Sequence, residues 1–329
     1  MEKTSLKLGF AALLDAAPLL VAHERGFFAE QGLTVELLRQ PSWAAVRDKV
    51  AVGALDGAQM PAPMTLAAAL GLGGLAEPLV TALSLNLGGN AITLSNRLAE
   101  TEPKYWDKPS FAVVHPFSGH HYELRIWLTA MGLDPDRDIR LLIVPPAQML
   151  SHLSAGAIDG YCVGEPWNSA AAAAGLGRIA VTSHQLWAGR IEKVLGVRQS
   201  WAERYPETHR ALLRALLRAA LWCDQEDNRG ELAELMARPG HVNAPAALLR
   251  SLLEGANAPI FHRSGANFPW RDQGHWYLDQ MRKAGQIGAL SDAHDLVDRV
   301  FRSDLTHLAC LDLDFPAPAA PPAAFGEMR

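Results

Sequence analysis

Gly53-Ala54-Leu55-Asp56-Gly57 and Gly156-Ala157-Ile158-Asp159-Gly160 are nearly the same word written twice in one chain. Each copy follows a helix-like segment, marked by Trp43, Val46 and Val50 in the first and by Met149, Leu150 and Leu153 in the second. Each runs into a short apolar stretch that ends in proline, at Pro61 and at Pro166. Helix, glycine turn and strand, repeated in matching context, predict two similar α/β lobes. Two such lobes facing one another form a cleft, the ordinary place for a small ligand.

Working outward, Leu6–Ala11 alternates as a strand, and Asp15–Glu30 reads as a helix with Pro18 in its first turn and Gly26 near its end. Thr34–Leu38 is a second strand, and Ser42 is an N-cap for a helix over Trp43–Val52. The stretch Leu83–Leu94, with Gly88-Gly89-Asn90 at its middle, reads as a crossing into the other lobe. There the scheme repeats: strand Phe111–Val114, a helix capped by Ser118 and running through Met131, and strand Ile139–Val144. A return crossing is expected near Lys193–Arg198. Beyond it the period is helical, with Leu212, Leu213, Leu216, Leu217 and Leu221 on a helix over Pro206–Cys223. Further helices are expected at Gly230–Ala237, Ala244–Leu253, His275–Ala284 and Ala293–Phe301, and the Pro/Ala-rich stretch Phe315–Ala324 reads as irregular or disordered. The expected division is lobe I at 1–86, lobe II at 87–195, a helical second part of lobe I at 196–314, and a tail at 315–329. Each lobe is expected to hold a mostly parallel sheet flanked by helices.

The 329 residues, 49% hydrophobic and 20% charged, are enough for two lobes with full cores. A net charge of −5 with interspersed signs disfavours direct nucleic-acid binding. Cys162, Cys223 and Cys310 are odd in number and far apart, which predicts buried free thiols and no metal set. No basic, apolar and small-residue leader pattern precedes the first strand, and no apolar run reaches membrane-spanning length; Ala211–Trp222 is broken by Arg214 and Arg218. The expectation is a cytoplasmic protein with no membrane insertion. No nucleophile motif, phosphate loop or zinc signature is present, and Gly71–Leu75 lacks the spacing of a dinucleotide fingerprint. The chain is therefore expected to recognise a ligand rather than make or break bonds, with neither cofactor nor metal.

Four residues stand where recognition can occur. In Ser118-Gly119-His120-His121 a helix start gathers backbone N–H groups, a setting that accepts small anions, and His120 adds a side-chain donor; the ordinary reading is that it only orders the loop. Trp43 occupies the matching place in lobe I, where its indole N–H can donate to a ligand oxygen; the ordinary reading is core packing. Lys193, at the return crossing, can supply positive charge to a cleft or simply lie on the surface. Glu165 can orient His120 or Lys193 through a charge-assisted bond, or cap a neighbouring turn. The cluster His115, His120, His121 fits no standard metal spacing.

The chain resembles the nitrate- and bicarbonate-binding proteins of ABC import systems, the NrtA/CmpA type, from about Leu6 to Leu308. The words that carry this are Glu24-Arg25-Gly26-Phe27-Phe28, Ser42-Trp43 with Arg47-Asp48, Leu85-Asn86-Leu87, Arg125 with Trp127-Leu128, Val144-Pro145-Pro146 and Val163-Gly164-Glu165-Pro166-Trp167-Asn168. The resemblance implies a two-lobed periplasmic-binding-protein type II fold. It implies ligand positions at Trp43, His120 and Lys193, with Asn90 standing where nitrate-binding members carry a glutamine, one methylene longer. Bicarbonate-binding relatives carry an acid at the lysine position and use calcium, so Lys193 points to a bare monoanion, nitrate or nitrite. Without a leader the chain is most similar to the cytosolic NasS-type nitrate/nitrite sensors. Their implied partner is an ANTAR-type RNA-binding antiterminator (NasT type), released on anion binding. A substrate-binding component of an ABC transporter is the alternative. A thiamine-pyrimidine synthase-like enzyme is more distant, because the Cys-rich stretch of that family is absent.

Overall fold

The computed structural model describes residues 1–74, 77–316 and 318. Ten strands alternate with helices: β1 (Ser5–Phe10), β2 (Thr34–Arg39), β3 (Gly57–Pro61), β4 (Leu79–Ser84), β5 (Asn90–Ser95), β6 (Ser110–Val113), β7 (Arg140–Ile143), β8 (Gly160–Gly164), β9 (Gly177–Thr182) and β10 (Lys193–Arg198). They form two five-stranded sheets, ordered β2-β1-β3-β10-β4 and β7-β6-β8-β5-β9. The two orders are the same once each strand is matched to its counterpart, so the repeat seen in five residues extends to a whole lobe. This is the expected two-lobed α/β fold.

Each sheet is mixed. β1 pairs parallel with β2 and β3, and β6 with β7 and β8. β10 is antiparallel to β3 and β4, and β5 to β8 and β9. Four strands in each sheet thus share a direction and one is reversed. The reversed strand is the one the chain inserts on arriving from the other lobe. It arrives from the other sheet rather than by a crossover within its own, and it runs against its neighbours. For the same reason Lys193–Arg198 is not a crossing: these residues are already strand in the first sheet, with Val194, Leu195 and Val197 buried. The connections lie at 85–89 and 183–192 instead, and residue 195 falls inside lobe I.

The repeated turns do the same work in both lobes. Gly53 and Gly156 adopt φ of +76° and +69°, which a side chain would strain. Asp56 N donates to the Lys7 carbonyl at 2.8 Å, and its carboxylate accepts from Lys7 N at 2.9 Å. Asp159 repeats this on Ser110, whose N donates to its carboxylate at 2.8 Å. Each turn is thereby stitched to the adjoining parallel strand, β1 or β6. Gly57 and Gly160 open the next strand, and a Cβ there would come within 2.8 Å of Val197 and 2.6 Å of Phe111.

The expected first helix is interrupted: Ala17–Glu24 ends before Gly26, whose φ of +76° turns the chain into a second short helix, Phe27–Glu30. The long helix Pro206–Asp224 buries Leu212, Leu213, Leu216 and Leu217 in the lobe I core. The remaining helices follow at Arg229–Ala237, Ala246–Glu254, Arg271–Lys283 and Ala293–Val300, with an unanticipated one at Ser303–Asp312. The last two adjoin β4, to which Arg302, between them, is tied by its N donating to the Thr81 carbonyl at 2.8 Å. Cys162, Cys223 and Cys310 are free and buried. No helix among the described residues is long and apolar enough to cross a membrane. The expected irregular stretch from Phe315 lies mostly outside the described residues.

Candidate functional site

The two reversed strands place one polar residue each at the junction of the lobes: Asn90 is the first residue of β5, and Lys193 is the first of β10. Two helix starts face the same junction. Ser42 caps Trp43–Ala51 by accepting from Ala45 N at 3.2 Å, which puts Trp43 at the helix origin. Ser118 caps Gly119–Ala130 by accepting from His121 N at 3.3 Å, which puts His120 in the first turn. The lobes touch here through Leu14 N to the Glu165 carbonyl, 2.8 Å, and Trp167 Nε1 to the Ala12 carbonyl, 3.2 Å. Trp43, His120, Asn90 and Lys193 are all buried.

Lys193 Nζ lies 5.5 Å from the Trp43 ring centroid. It is held by Glu192 Oε1 at 2.8 Å and Asp15 Oδ2 at 3.0 Å. Burial opposes its charge, but the two carboxylates outweigh burial and raise its pKa. Lys193 is therefore not the bare cation the sequence suggests. Burial also opposes the charge on Glu192, yet Lys193 keeps its pKa low, so this pair is ionised. Asp15 is pushed the other way by burial, although Gln59 and Lys193 both bond it. Glu192 reaches across to lobe II, where its Oε1 is 3.5 Å from His120 Nε2 and a Cβ on Gly119 would overlap its Oε2. That close approach explains a glycine at the first helical position.

Burial drives His120 down to about 3, so its imidazole is neutral at any physiological pH. Several buried polar atoms here have no hydrogen-bond partner among the described residues: Trp43 Nε1, both ring nitrogens of His120, Asn90 Oδ1 and Glu192 Oε2. Such orphans are costly in a folded protein and mark sites where something else is bound. They are gathered at the lobe junction.

Two expectations need correction. The Glu165 carboxylate orients neither His120 nor Lys193. It accepts from Ser169 N and Oγ, both at 3.1 Å, in the first turn of the helix Trp167–Ala173, because the Glu165–Pro166 corner starts that helix. The Asn90 amide nitrogen is not free for a ligand: Nδ2 donates to Glu123 Oε2 at 3.1 Å, and the side chain also hydrogen-bonds Glu192. His115 and His121 also stand apart from His120: His115 Nδ1 accepts from Phe117 N, and His121 Nδ1 meets the Pro116 carbonyl. No metal-holding group of three or more His, Cys, Asp or Glu occurs among the described residues.

Sequence reading missed Asp15, Gln59, Glu123 and Glu192. Asp15 looks like an ordinary first-turn acid, and strand alternation turns Glu192 away from Lys193. In fact Glu192 precedes the strand, and its side chain curls back onto Lys193. The one visible signal was the dipeptide Glu192-Lys193 beside an expected crossing.

Comparison with known proteins places this geometry. Residues 1–237 match the NMT1-like family. The chain is 40% identical over 343 residues to the nitrate import ATP-binding protein NrtC of Synechocystis sp., covering 96% of this chain and 51% of that protein. It thus spans about half the length of that relative. It is 32% identical to the bicarbonate-binding protein CmpA of Synechococcus elongatus, covering 98% of this chain and 81% of CmpA. The crystal structure of the periplasmic nitrate-binding protein NrtA from Synechocystis superposes with a TM-score of 0.93 at 31% identity, covering 98% of this chain and 93% of NrtA.

Proposed function

This chain belongs to the NMT1-like family, among the binding proteins of the NrtA/CmpA type, and from that premise we propose that it is a nitrate or nitrite sensor. Like those relatives it is a binding protein and not an enzyme. The observation that carries the ligand reading is the convergence of Trp43 Nε1, His120 and Lys193 Nζ, with the first two lacking hydrogen-bond partners among the described residues. Nitrate offers three acceptor oxygens in a plane and no donor, and an indole N–H, a neutral imidazole N–H and an ammonium all donate. Charge supports the same reading. Arg190, stacked 3.2 Å from the Trp276 ring centroid, lies within electrostatic reach of Glu123 and Glu192. Lys193 and Arg190 thus bring positive charge to the junction, which favours an anion as the ligand.

The sensor role extends this to a partner. The ligand atoms come from both lobes, so binding stabilises the closed pair. A regulator that docks only on the open pair is released by the anion. The proposed partner is an ANTAR-type RNA-binding antiterminator and the proposed location is cytoplasmic. The second reading is a substrate-binding component of an ABC importer, favoured by the name of the nitrate import relative NrtC.

Calorimetric titration with nitrate, nitrite, and bicarbonate with and without calcium tests the ligand. Calcium-independent nitrate or nitrite binding is expected. Binding of bicarbonate alone would overturn the assignment. Co-purification with an ANTAR-type regulator, lost on adding nitrate, tests the sensor role; a nitrate-insensitive complex, or none, leaves the importer reading.

A further inference from the structure

The helix Arg271–Lys283 packs in lobe I, against the helices Ala62–Ala69 and Ala293–Val300, yet it also holds two other parts of the molecule. Its first half grips the connection between the lobes. Gln273 Nε2 donates to the Gly189 carbonyl at 3.0 Å, Gln273 Oε1 accepts from Ile191 N, and Tyr277 Oη donates to the Ile191 carbonyl. These bonds fix the residues that lead directly into Glu192 and Lys193. The far end of the helix reaches lobe II. Gly285, at φ +67°, stops the helix with its N donating to the Arg282 carbonyl at 3.0 Å, and Gln286 N donates to the Met281 carbonyl at 2.9 Å. This closing turn fixes the backbone of Gln286, a half-buried residue whose amide is engaged at both atoms. Nε2 donates to the Pro116 carbonyl at 2.9 Å, and Oε1 accepts from Tyr122 Oη at 2.8 Å.

Both partners belong to the start of the His120 helix. Pro116 lies in the loop that leads to the Ser118 cap, and Tyr122 follows His120 in the first turns. The Pro116 carbonyl also accepts from His121 Nδ1 at 2.7 Å, and its two lone pairs accommodate both donors. Tyr122 is buried in an apolar cluster drawn from both lobes, with Tyr277, Leu278 and Met281 of the lobe I helix. Roughly 13 Å of chain at helical rise separates Tyr277 from Gln286, so the grip on the connection and the grip on lobe II are distinct points on one rigid element. We propose that Gln286 is the clasp that closes lobe II onto lobe I, and that by holding the start of the His120 helix it sets His120 against Lys193 and slows release of the bound anion. Gln286 acts through that helix and is a positioning residue; the statement about release rests on the anion reading above. Its two bonds join different lobes. When the lobes part, all four polar groups return to water, so the bonds stabilise closure rather than the fold of either lobe.

Stopped-flow nitrate binding to the wild-type protein, Gln286→Ala, Tyr122→Phe and the double variant tests this. Phenylalanine keeps the ring that stacks on His121 and meets Tyr277. Gln286→Ala is expected to speed dissociation roughly tenfold, for two lost hydrogen bonds. Association should change by less than about twofold, since loss of a contact of this kind acts mainly on dissociation. Tyr122→Phe should speed dissociation by less, and should add nothing once Gln286 is alanine. An unchanged dissociation rate in Gln286→Ala, or independent effects of the two substitutions, would overturn the clasp. Small-angle scattering without ligand gives a second reading. A larger radius of gyration in Gln286→Ala than in wild type is expected, and equal radii would also overturn it. Wild-type protein that binds no nitrate or nitrite would refute the ligand reading itself, and the scattering still decides whether Gln286 holds the lobes together.

Discussion

Lobe I and lobe II share one strand order, one pair of glycine turns and one stitched aspartate, yet they bring different chemistry to their junction. Lobe I supplies charge: Asp15, and Lys193 with Glu192 beside it. Lobe II supplies groups whose burial keeps them neutral: His120 near 3, and Glu123 near 8. The duplicated scaffold fixes where side chains enter, and what enters is set separately on each side. A monoanion bound between them meets its countercharge on one lobe and directional, uncharged donors on the other.

The sharpest way to break this division is to remove the charge. Lys193→Met leaves Asp15 and Glu192 buried without their cation. Removing one partner of a buried ion pair typically costs about 3–5 kcal/mol. Urea unfolding without ligand is expected to show a loss of that size, and calorimetry to show no nitrate binding. A variant as stable as wild type would mean that lobe I does not depend on this charge cluster.

The neutral side can be probed by acid. An unfolded histidine takes up its proton near pH 6.5, while burial holds His115 and His120 in lobe II to about 4 and 3, and His209 in lobe I to about 4. Native pKa values below the unfolded one mean that stability is present above about pH 6.5 and is lost as pH falls toward 4 and 3. Each such histidine costs about 1.4 kcal/mol per pH unit, or about 2 kcal/mol at pH 5. Burial lowers His121 in lobe II as well, so three buried histidines there against one in lobe I predict that hydrogen exchange at pH 5 accelerates first in β6 and the His120 helix. Equal acceleration in both lobes would contradict the asymmetry.

How far this was legible in sequence follows the same line. The glycine word predicted the lobes because turns demand specific backbone conformations from Gly53 and Gly156. The N-caps at Ser42 and Ser118 were readable because a cap is a local hydrogen bond. The direction of β5 and β10 was not readable, since it depends on which lobe the chain has come from. Glu123 and Asp15 escaped for a related reason: each has its partner on an element distant in sequence, whereas Glu192 bonds its neighbour Lys193 from a position that strand alternation would turn away. Trp43 is the intermediate case, placed by a local cap but given meaning only by the junction. Trp43→Phe keeps the ring and removes an N–H that has no partner in the fold. Anion affinity is therefore expected to drop by about 1–3 kcal/mol while ligand-free stability holds. A stability loss with unchanged affinity would make Trp43 core packing after all.

The smallest predicted effect concerns the repeat itself. Asp56 and Asp159 stitch equivalent turns, and each accepts one backbone N–H from the adjoining strand. Asp56 does more: it accepts from the buried Trp201 Nε1 at 2.9 Å, which ties the turn to the helix Gln199–Arg204 after β10, and from Lys3. The additional partner of Asp159 is Arg97, whose side chain is 71% exposed and so adds little. Asp56→Ala strands a buried indole donor, and Asp159→Ala does not. The difference in unfolding free energy between the two variants is expected to be about 1 kcal/mol, with Asp56 the costlier. Equal costs would mean that the backbone stitch alone carries the turn. The additional bond to Trp201 would then be incidental, and the two lobes would be alike in their turns as well as in their strand order.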